Sequence, residues 1–571
     1  MTKFMNWDVC GFKRNTAAML YREGINPLVS VFLVSRGIAS LDDAFVMIGN
    51  TPGDIYDPFL LNDIDIAVER INKAIESNER IAVYGDYDVD GMTSCVVVSS
   101  WLRSKKADFE VYIPDRIKEG YCLNNSALDY LKSQGVNLII TVDCGITANK
   151  QAEYAKSLGL DLIITDHHEC RAELPEAIAV IDPKRPDCIY PNKDLAGVGV
   201  AFKLICALEK DTCIEELINK YCDLAAVGTI ADVMPIYGEN RELIRRGLQV
   251  LNKTPRPGIY SLLEQAYPDR NLQLNGLCKI CATTISYTLA PRLNAAGRMG
   301  QAYLSVKLLL ADAGKDAGLF AKELCGLNSD RREIETVIYD DVIKMIPKTD
   351  TPEPIVIANK DWHQGVTGIV ASKIAETYRV PTIIISIEDN GNNHGTCRSF
   401  GTFNLYQAIS SCEDILLGYG GHEAAAGITI SEENIDEFRR RIVKYYKTNY
   451  QPEHDHDLHI DFEVEKPELL SVENIEALIR LEPFGNNNPF PCLCIKNAVL
   501  SSLRSIGDDK HSRFKIEKSG ISFDCIYFSM PLCDLGFGEG EFVDIAFEPQ
   551  INEYRGRVSV QLNIIDIRSA I

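Results

Sequence analysis

The sequence lacks a hydrophobic run long enough to cross a bilayer, since its longest apolar stretches, LDLIIT and PTIIIS, fall far short of the roughly 18 residues required. Its first stretch, MTKFMNWDVCGFKRNT, interleaves charges with apolar residues and contains no secretory signal. Internal repeats, low-complexity tracts and the ATP-binding pattern GxxxxGK[ST] are also missing. These absences predict a cytoplasmic chain that neither contacts a membrane nor couples to ATP.

Basic residues are scarcer than acidic ones. The chain has 59 Lys and Arg against 81 Asp and Glu, a net charge of −22, which excludes a uniformly basic, nucleic-acid-coating protein but not a local basic groove. The 571 residues, at about 150 per domain, predict three or four domains. The 46% hydrophobic and 25% charged residues are typical of globular proteins and exclude a disordered chain.

The 18 cysteines are scattered through hydrophobic segments, which favours reduced thiols over a disulfide framework. Cys278 and Cys281 have CxxC spacing, but no second pair stands at zinc-site distance. We therefore do not expect a structural metal there.

The pattern of apolar residues divides the chain. Residues 1–75 have helical periodicity, and in DIDIAVERINKAIES it predicts one apolar face formed by Ile66, Val68, Ile71 and Ile75. From Arg80 short apolar runs alternate with helical stretches: IAVYGD, DFEVYIPD, VNLIITVD, LDLIITD and AIAVID. This alternation predicts parallel βαβ units, in which sites form beyond the carboxyl ends of the strands. Four runs end there in an aspartate: Asp86, Asp115, Asp143 and Asp166.

The second half changes pattern twice. Residues 301–350 predict long helices with a basic pair at Arg331 and Arg332, and a second α/β segment begins near Pro354. After QPEHDHDLH the runs are short, β-rich and bounded by turn residues, which predicts a small barrel of the OB type. The predicted fold is thus α/β with two lobes and a barrel. Its predicted parts are a helical region 1–75, a parallel-sheet domain 76–300, a connector 301–350, a second α/β domain 351–450 and a barrel 455–571.

The densest chemical signal is VYGDYDVDGMTS, where Asp86, Asp88 and Asp90 alternate before a glycine. On an extended backbone the three carboxylates would project to one side, and a cation would be needed to neutralise them. An Asp-rich surface turn is the alternative, and a calcium loop is excluded because no glutamate follows at its twelfth position.

Two further runs add ligands. TVDCG contributes Asp143, and IITDHHE contributes Asp166, His167 and His168. Mixed carboxylate and imidazole ligands suit manganese, with magnesium or iron as other occupants. The sequence therefore predicts a metal site on the edge of the parallel sheet.

These motifs resemble a known family. DYDVDG, VDCG and TDHH are similar to the first three motifs of the DHH phosphoesterase superfamily, and LAAVGTIADVMPI, with Asp232, is similar to the fourth. Within the superfamily the chain resembles the RecJ family of single-strand-specific exonucleases in PDRIKEGY, LAGVGVAFK, LAPRLNAAGRMG, GIVASKIAE, CRSFGTFNL, GYGGHEAAAG and EPFGNNNPFP. The resemblance covers essentially the whole chain and implies a DHH lobe, a DHHA1 lobe and an OB-fold.

The resemblance also implies two Mn²⁺ or Mg²⁺ ions that hydrolyse a phosphodiester. Asp88 and Asp143 would bind one ion, with Asp86 at that ion or just outside it. Asp90, Asp143, His167 and Asp232 would bind the other. His168 would orient or contact a phosphate, Asp166 would hold an imidazole, and Asp223 is assigned to helix structure.

For the DHHA1 lobe, the resemblance implies that it holds the substrate backbone over the metals. Its expected contacts are His363, Thr396, Arg398, Ser399, Gly420, Gly421 and His422, joined from the first lobe and connector by Arg116, Arg292, Asn294 and Arg298. Surface salt bridges and turn-forming glycines are the alternatives. Tyr554, Arg555 and Arg557, in a predicted barrel hairpin, are further DNA-binding expectations that an ordinary solvated turn would also explain.

The implied activity is 5′ to 3′ exonuclease digestion of single-stranded DNA by a monomer in recombination and repair, with a single-strand-binding protein and a helicase as partners. A phosphodiesterase for short oligonucleotides or cyclic dinucleotides, and a noncatalytic DNA-binding scaffold, are the alternatives. Two departures from the family pattern are an extra residue in GTFNL and Cys122 in place of glycine. The second puts in doubt the loop that carries Arg116.

Overall fold

The computed structural model describes residues 4, 6–116, 118–120, 122–268, 280–312, 314–347, 353–388, 391–450, 457–554 and 556–570. The chain divides into two compact units, one made of Met1–Gly53 with Glu453–Ile571 and one made of Asp54–Pro452. Among the described helices, none has the length and apolar character of a membrane span. The cysteines in the described ranges are free thiols, and Cys278 of the CxxC pair lies outside those ranges.

The larger unit begins with a five-stranded parallel sheet whose strand order is β3-β2-β4-β5-β6. Its strands are β2 Arg80–Gly85, β3 Phe109–Tyr112, β4 Val136–Val142, β5 Asp161–Thr165 and β6 Ala179–Ile181. The apolar runs of β2, β4, β5 and β6 are almost wholly buried, as a sheet covered on both faces requires. Since all five strands are parallel, their carboxyl ends meet along one edge.

Helices cover this sheet and continue beyond it. They are α4 Ile64–Glu76, α5 Val89–Ser104, α6 Asn125–Ser133, α7 Asn149–Ser157, α8 Gly197–Leu208, α9 Ile214–Ala231, α10 Gly238–Lys253, α11 Pro257–Ala266, α12 Ala282–Thr284, α13 Ala290–Arg298, α14 Tyr303–Leu310 and α15 Lys315–Met345, with a π-helical turn Ile285–Leu289 before α13. The apolar face predicted for α4 is wrong in part. Ile64, Ala67, Ile71 and Ala74 are buried, whereas Ile66 is 44% exposed, because the alanines lie on the core side of the helix.

The same unit contains a second, mixed sheet of order β10-β11-β9-β8-β7, in which only the β7–β8 pair is parallel. Its elements are β7 Ile355–Lys360, α16 Gln364–Tyr378, β8 Thr382–Ile387, β9 Asn393–Arg398, α17 Leu405–Ser410, β10 Gly418–Gly421, β11 Ala425–Ile430 and α18 Ile435–Asn449. Helix α15 packs against both α13 and α16 and so links the two lobes of the unit.

The smaller unit is a barrel covered by helices from both ends of the chain. Its elements are β1 Trp7–Val9, α1 Arg14–Arg22, α2 Pro27–Ser35, α3 Leu41–Ile48, β12 Leu458–Ile460, β13 Phe462–Glu463, α19 Val472–Ile479, β14 Leu493–Ile506, β15 His511–Lys518, β16 Ile521–Tyr527, β17 Phe542–Tyr554 and β18 Arg557–Ser569. Pairing of β14 with both β15 and β17 closes a ring of five strands, and β1 pairs in parallel with β12. The predicted OB-type barrel is confirmed.

The predicted helical region 1–75 is divided between the units. Leu28, Val29 and Phe32 of α2 are buried in the core of the barrel unit, whereas Ile64 and Ile71 of α4 are buried against the parallel sheet. Periodicity alone reports that a helix has an apolar face, and the core that receives this face is decided by the tertiary fold.

Candidate metal centre and phosphate-binding surface

The three alternating aspartates follow β2 at a turn from strand to helix. Asp88 is the N-cap of α5, with φ −95° and ψ −179°, and its Oδ1 accepts the N–H of Gly91 at 3.1 Å. Asp90 already lies in the first turn of α5. The expectation of an extended backbone is therefore wrong, because the capping hydrogen bond starts the helix inside the motif.

Asp86, Asp88 and Asp143 form the first potential metal-binding group, with one oxygen of each within 4.8 Å of the others. Asp143 follows β4 with φ 61°, in the left-handed region, which turns its side chain at the strand end. Asp86 and Asp143 are 3% and 2% exposed, and the Oδ1 of each has no hydrogen-bond partner in the described part of the chain. These buried oxygens point at a cation, since an unpaired carboxylate is costly to bury.

Asp90, His167 and Asp232 form a second group of the same kind, and Asp143, His167 and His168 form a third that overlaps both. The His167 Nε2 atom lies 3.1 Å from Asp143 Oδ1, 3.6 Å from Asp232 Oδ2 and 3.7 Å from Asp90 Oδ2. Asp143 thus belongs to the first group and touches the second, which places it where a bridging ligand would stand. All six residues expected to bind metal are brought together.

The amino end of α8 holds Asp90 in place. Gly197 and Val198 donate their backbone N–H groups to the two oxygens of Asp90 at 2.6 and 2.8 Å. A methyl group on Gly197 would stand 2.5 Å from Asp143 Cβ, and one on Gly228 would stand 2.8 Å from Asp90 Oδ1. Both glycines therefore let helices approach the carboxylates more closely than any other residue allows.

The electrostatics of the site call for cations. Burial, followed by the neighbouring carboxylates, raises the pKa of Asp86, Asp90 and Asp143 well above its ordinary value. Burial and Asp88 raise the pKa of Asp232 to about 7. Burial and the charge of His168 lower the pKa of His167 to about 3, so its ring is neutral and can donate a lone pair to a metal. These acidic and imidazole groups are positioned to bind metal ions.

His168 is held by Asp166. The Oδ1 of Asp166 lies 2.7 Å from His168 Nδ1 and also accepts the backbone N–H of His167, while Oδ2 accepts that of Ile146. Burial opposes protonation of His168, but the hydrogen bond and charge of Asp166 outweigh it and raise the pKa of the ring to about 9. A positive imidazole at the edge of the carboxylate cluster suits contact with a phosphate.

Arginines gather beside the carboxylates. The guanidinium of Arg116 lies 4.9 Å from the ring centroid of Tyr87, the residue between Asp86 and Asp88 in the sequence. Arg298 donates a hydrogen bond to the carbonyl of Gly365 at 3.1 Å. Burial and the charges of Arg116, Arg331 and Arg398 lower the pKa of Arg298. In the described ranges Arg116, Arg298 and Arg398 have no ion pair with a carboxylate. Guanidinium groups that are crowded together without carboxylate partners fit a polyanion.

Helix α13 contributes two further predicted contacts. Asn294 accepts the backbone N–H of Val89 at 3.1 Å, and Arg292 donates to the carbonyl of Thr288. Asn294 and Arg298 line a cavity of about 280 Å³, together with Arg331 of α15 and the apolar Ile230 and Val233 that flank Asp232. The cavity therefore adjoins both the metal group and the arginines.

The DHHA1-like lobe places its predicted residues along β9, β10 and the start of α16. His363 caps α16, and its Nδ1 accepts the N–H of Gly365 at 3.2 Å. Thr396 lies 3.2 Å from the hydroxyl of Thr367, and Arg398 donates to Ser372 at 3.1 Å. The hydroxyl of Ser399 donates instead to the carbonyl of Phe403. His363, Thr396 and Arg398 are thus held by neighbours within this lobe.

The two glycines of β10 differ. Gly421 has φ 141°, and a Cβ there would stand 2.4 Å from the carbonyl oxygen of Ala425, so the hairpin itself requires glycine. Gly420 has open space around it and leaves its backbone approachable. The side chain of His422 is exposed.

Other predicted residues lie elsewhere or play structural roles. Asp223 of α9 pairs with Arg256 at 2.6 Å, as expected for a helix-structure residue. Tyr554 and Arg557 are paired across the β17–β18 hairpin, while Arg555 and the side chain of Tyr554 lie outside the described part of the chain.

Sequence reasoning missed three residues of this region, Asp182, Gly197 and Gly228, and it assigned Arg331 only to the connector. Asp182 ends the fifth run, AIAVID, at the same sheet edge and is fully buried, so the rule that identified the other strand ends applied to it as well. The two glycines stand in motifs that were noticed, but only the fold shows what they approach.

Comparisons with known proteins agree with this geometry. Family models match at residues 80–229 (DHH family, N-terminal domain), 352–448 (DHHA1 domain) and 460–566 (RecJ OB domain). The single-stranded-DNA-specific exonuclease RecJ of Bacillus subtilis is 40% identical over 98% of this chain and 70% of its own length. RecJ of Thermus thermophilus, solved with Mn²⁺, has a TM-score of 0.82 and 27% identity over 99% of this chain and 80% of that one. Its Mg²⁺ complex has a TM-score of 0.78 and 27% identity over 99% and 79%.

Proposed function

This chain belongs to the RecJ family, and on that premise we propose that it is an exonuclease that hydrolyses the phosphodiester bonds of single-stranded DNA from the 5′ end, in recombination and repair. One observation carries the proposal. Five carboxylates and a neutral imidazole converge in overlapping groups that share Asp143 or His167. Beside them lie Arg116, Arg298 and Arg398, which have no carboxylate partner among the described residues.

We assign the first ion to Asp86, Asp88 and Asp143, and the second to Asp90, Asp143, His167 and Asp232. Two divalent cations would offset four of the five carboxylate charges. When bound, such ions activate water and stabilise the charge of an in-line phosphoryl displacement. The helix-end amides that hold Asp90 fix one ligand, and Gly197 keeps Asp143 within reach of both groups.

The protein groups around the metals would orient the strand. The charged ring of His168, fixed by Asp166, contacts a non-bridging oxygen of the phosphate. Arg116, Arg298 and Arg398 receive the 5′-terminal phosphate, which sets the direction of digestion. His363, Thr396, Gly420 and His422 extend the surface toward the following nucleotides.

The barrel unit would supply a second binding surface for single strands through backbone contacts and base stacking, as OB-folds do. By family resemblance, a helicase and a single-strand-binding protein would be the partners that deliver strands. We further propose a cytoplasmic monomer, since both metal groups and the arginines come from one chain.

The deciding experiment digests oligonucleotides labelled at the 5′ or the 3′ end, beside a blunt duplex, with Mn²⁺ and then with EDTA. We expect early release of the 5′ label from single strands only, and no release in EDTA. Asp143→Ala should abolish hydrolysis and Mn²⁺ binding. Asp223→Asn, a change of another buried carboxylate that pairs with Arg256, should abolish neither.

Three results would contradict the proposal. Cleavage of dinucleotides but not of long strands would indicate the small-substrate phosphodiesterase. Release of the 3′ label first would reverse the proposed direction. DNA binding without hydrolysis, unchanged in Asp143→Ala, would indicate a scaffold.

A further inference from the structure

Arg116 lies in the loop between β3 and α6. This loop borders a cavity of about 340 Å³, whose other walls come from Gly297, from residues 300–304 and Lys307, and from Phe320 and Glu323 of α15. Because this face of the loop meets a cavity, packing on that side does not fix the position of Arg116. Hydrogen bonds within the loop must supply the order that a phosphate contact needs.

Three of the loop's side-chain hydrogen bonds are made to Glu119. Its Oε1 accepts the hydroxyl of Tyr112 at 2.6 Å, at the end of β3, and its Oε2 accepts the backbone N–H of Asp115 at 2.7 Å. The side-chain amide of Asn124, the N-cap of α6, approaches the same Oε1 at 3.5 Å. One carboxylate therefore ties together the strand before the loop, the residue preceding Arg116 and the helix after it.

The far end of the loop is tied to the same network. Tyr84 of β2 donates its hydroxyl to the carbonyl of Cys122 at 3.0 Å and accepts a hydrogen bond from Asn124 at 3.3 Å. Cys122 has φ 72°, in the region that glycine adopts most readily, so the residue that departs from the family pattern keeps the backbone turn that a glycine would make. The ring of Tyr84 stacks on Tyr112 at 5.3 Å, which joins both ends of the loop.

Glu119 does not form an ion pair with Arg116 in the described structure, where the guanidinium rests on Tyr87 instead. A carboxylate that paired with Arg116 would weaken the binding of a phosphate by this arginine. Both of its oxygens are occupied by neutral donors, so its effect is on the position of the loop.

We propose that Glu119 is a positioning residue that fixes the loop of Arg116 and thereby sets the preference of the enzyme for a 5′-phosphorylated end. This inference rests on the proposed function. Replacing Glu119 by glutamine keeps its size but removes one of its two acceptor oxygens, which releases either Tyr112 or the Asp115 amide.

The test compares kcat and KM on one oligonucleotide carrying either a 5′-phosphate or a 5′-hydroxyl, with Mn²⁺. We expect Glu119→Gln to reduce the preference for the 5′-phosphate about tenfold, the effect of a lost hydrogen bond to a charged group, through KM and with kcat nearly unchanged. Tyr112→Phe, which removes only a hydroxyl, should act in the same direction. Glu209→Gln is the matched control, since Glu209 accepts the Trp101 N–H at 2.8 Å far from the loop in sequence, and should keep the preference.

A double-mutant cycle separates positioning from general stability. In an Arg116→Ala background, Glu119→Gln should cause no further loss of preference. A wild-type preference retained in both Glu119→Gln and Tyr112→Phe would overturn the inference, as would equal losses on both substrates or a further loss without Arg116. A wild type that digests both 5′ ends equally would overturn it while leaving the nuclease intact, and a wild type without hydrolysis would defeat the proposed function itself.

Discussion

Gly197 offers a test of how tightly the metal site is built, although it offers no side chain to a metal or to DNA. A methyl group there would stand 2.5 Å from Asp143 Cβ, whereas ordinary contact begins at 3.4 Å. Asp143 or the amino end of α8 would have to move by about 0.9 Å, the difference between these two distances. Metal-ligand distances tolerate only about 0.2 Å, so the Asp143 carboxylate would lose its position.

The amino end of α8 cannot retreat without a second loss, because the Gly197 N–H donates to Asp90 at 2.6 Å. We therefore expect Gly197→Ala to weaken Mn²⁺ binding about 10- to 100-fold and to reduce hydrolysis at limiting metal at least as much. Mn²⁺ affinity is measured by isothermal titration, and folding is checked by circular dichroism.

Gly326→Ala is the matched control. Gly326 lies within α15 with nothing within 4 Å of the added methyl, so this variant should bind Mn²⁺ normally and gain about 0.5–1 kcal/mol of stability. Wild-type Mn²⁺ affinity in a folded Gly197→Ala protein would refute the reasoning, since it would mean that Asp143 is free to shift.

Three further predictions follow from other features. Lys203 and Glu239 form an ion pair at 2.6 Å, and their side chains are 1% and 0% exposed. Lys203→Met should therefore lower the free energy of unfolding in urea by about 3–5 kcal/mol, because it leaves the buried Glu239 carboxylate without its counter-charge. A Lys203→Met/Glu239→Gln double variant that is no more stable than Lys203→Met would contradict this. Burial, followed by the charge of Asp166, raises the pKa of Asp182 to about 8. Between about pH 4 and pH 8 the folded state therefore holds a proton that the unfolded state has released, so the free energy of unfolding should fall as pH rises through this range. In EDTA, Asp182→Asn should flatten that fall in thermal unfolding, and an identical pH profile would count against it. Three arginines without a carboxylate partner among the described residues, Arg116, Arg298 and Arg398, predict that the logarithm of single-strand affinity falls with the logarithm of salt concentration with a slope of about −2. Arg116→Ala should make this slope shallower by about 0.7, and an unchanged slope would exclude a phosphate contact.

The parallel sheet and its acidic edge could be predicted from the sequence because both signals are local. A short apolar run rich in β-branched residues, such as VNLIITV, favours a strand covered on both faces, and the residue that follows it lies at the strand end. The prediction that Asp143 belongs to both ligand groups was implied by the family resemblance, because the spacing of residues along the chain does not show which strands are neighbours.

What escaped prediction depends on contacts between distant segments. The extended backbone expected for the aspartate motif failed because Asp88 caps a helix, a choice made by a hydrogen bond that the alternating pattern does not reveal. Gly197 and Gly228 look like ordinary helix residues until Asp143 and Asp90 are placed against them. Arg331 was assigned to a connector, because the sequence does not show that its charge acts on Arg298 of another helix.

The barrel unit is assembled from the two ends of the chain, and this has a consequence during biosynthesis. Gly53 and Glu453 are 400 positions apart, so at about 5–20 residues per second the apolar helix α2 waits on the order of 20–80 seconds for the strands that bury it. During that interval Asp54–Pro452 can complete its own cores while Leu28, Val29 and Phe32 have no barrel to pack against. The nascent chain should therefore be most vulnerable to aggregation and to chaperone capture at its first 53 residues, and a barrel expressed without them should expose the surface that α2 covers.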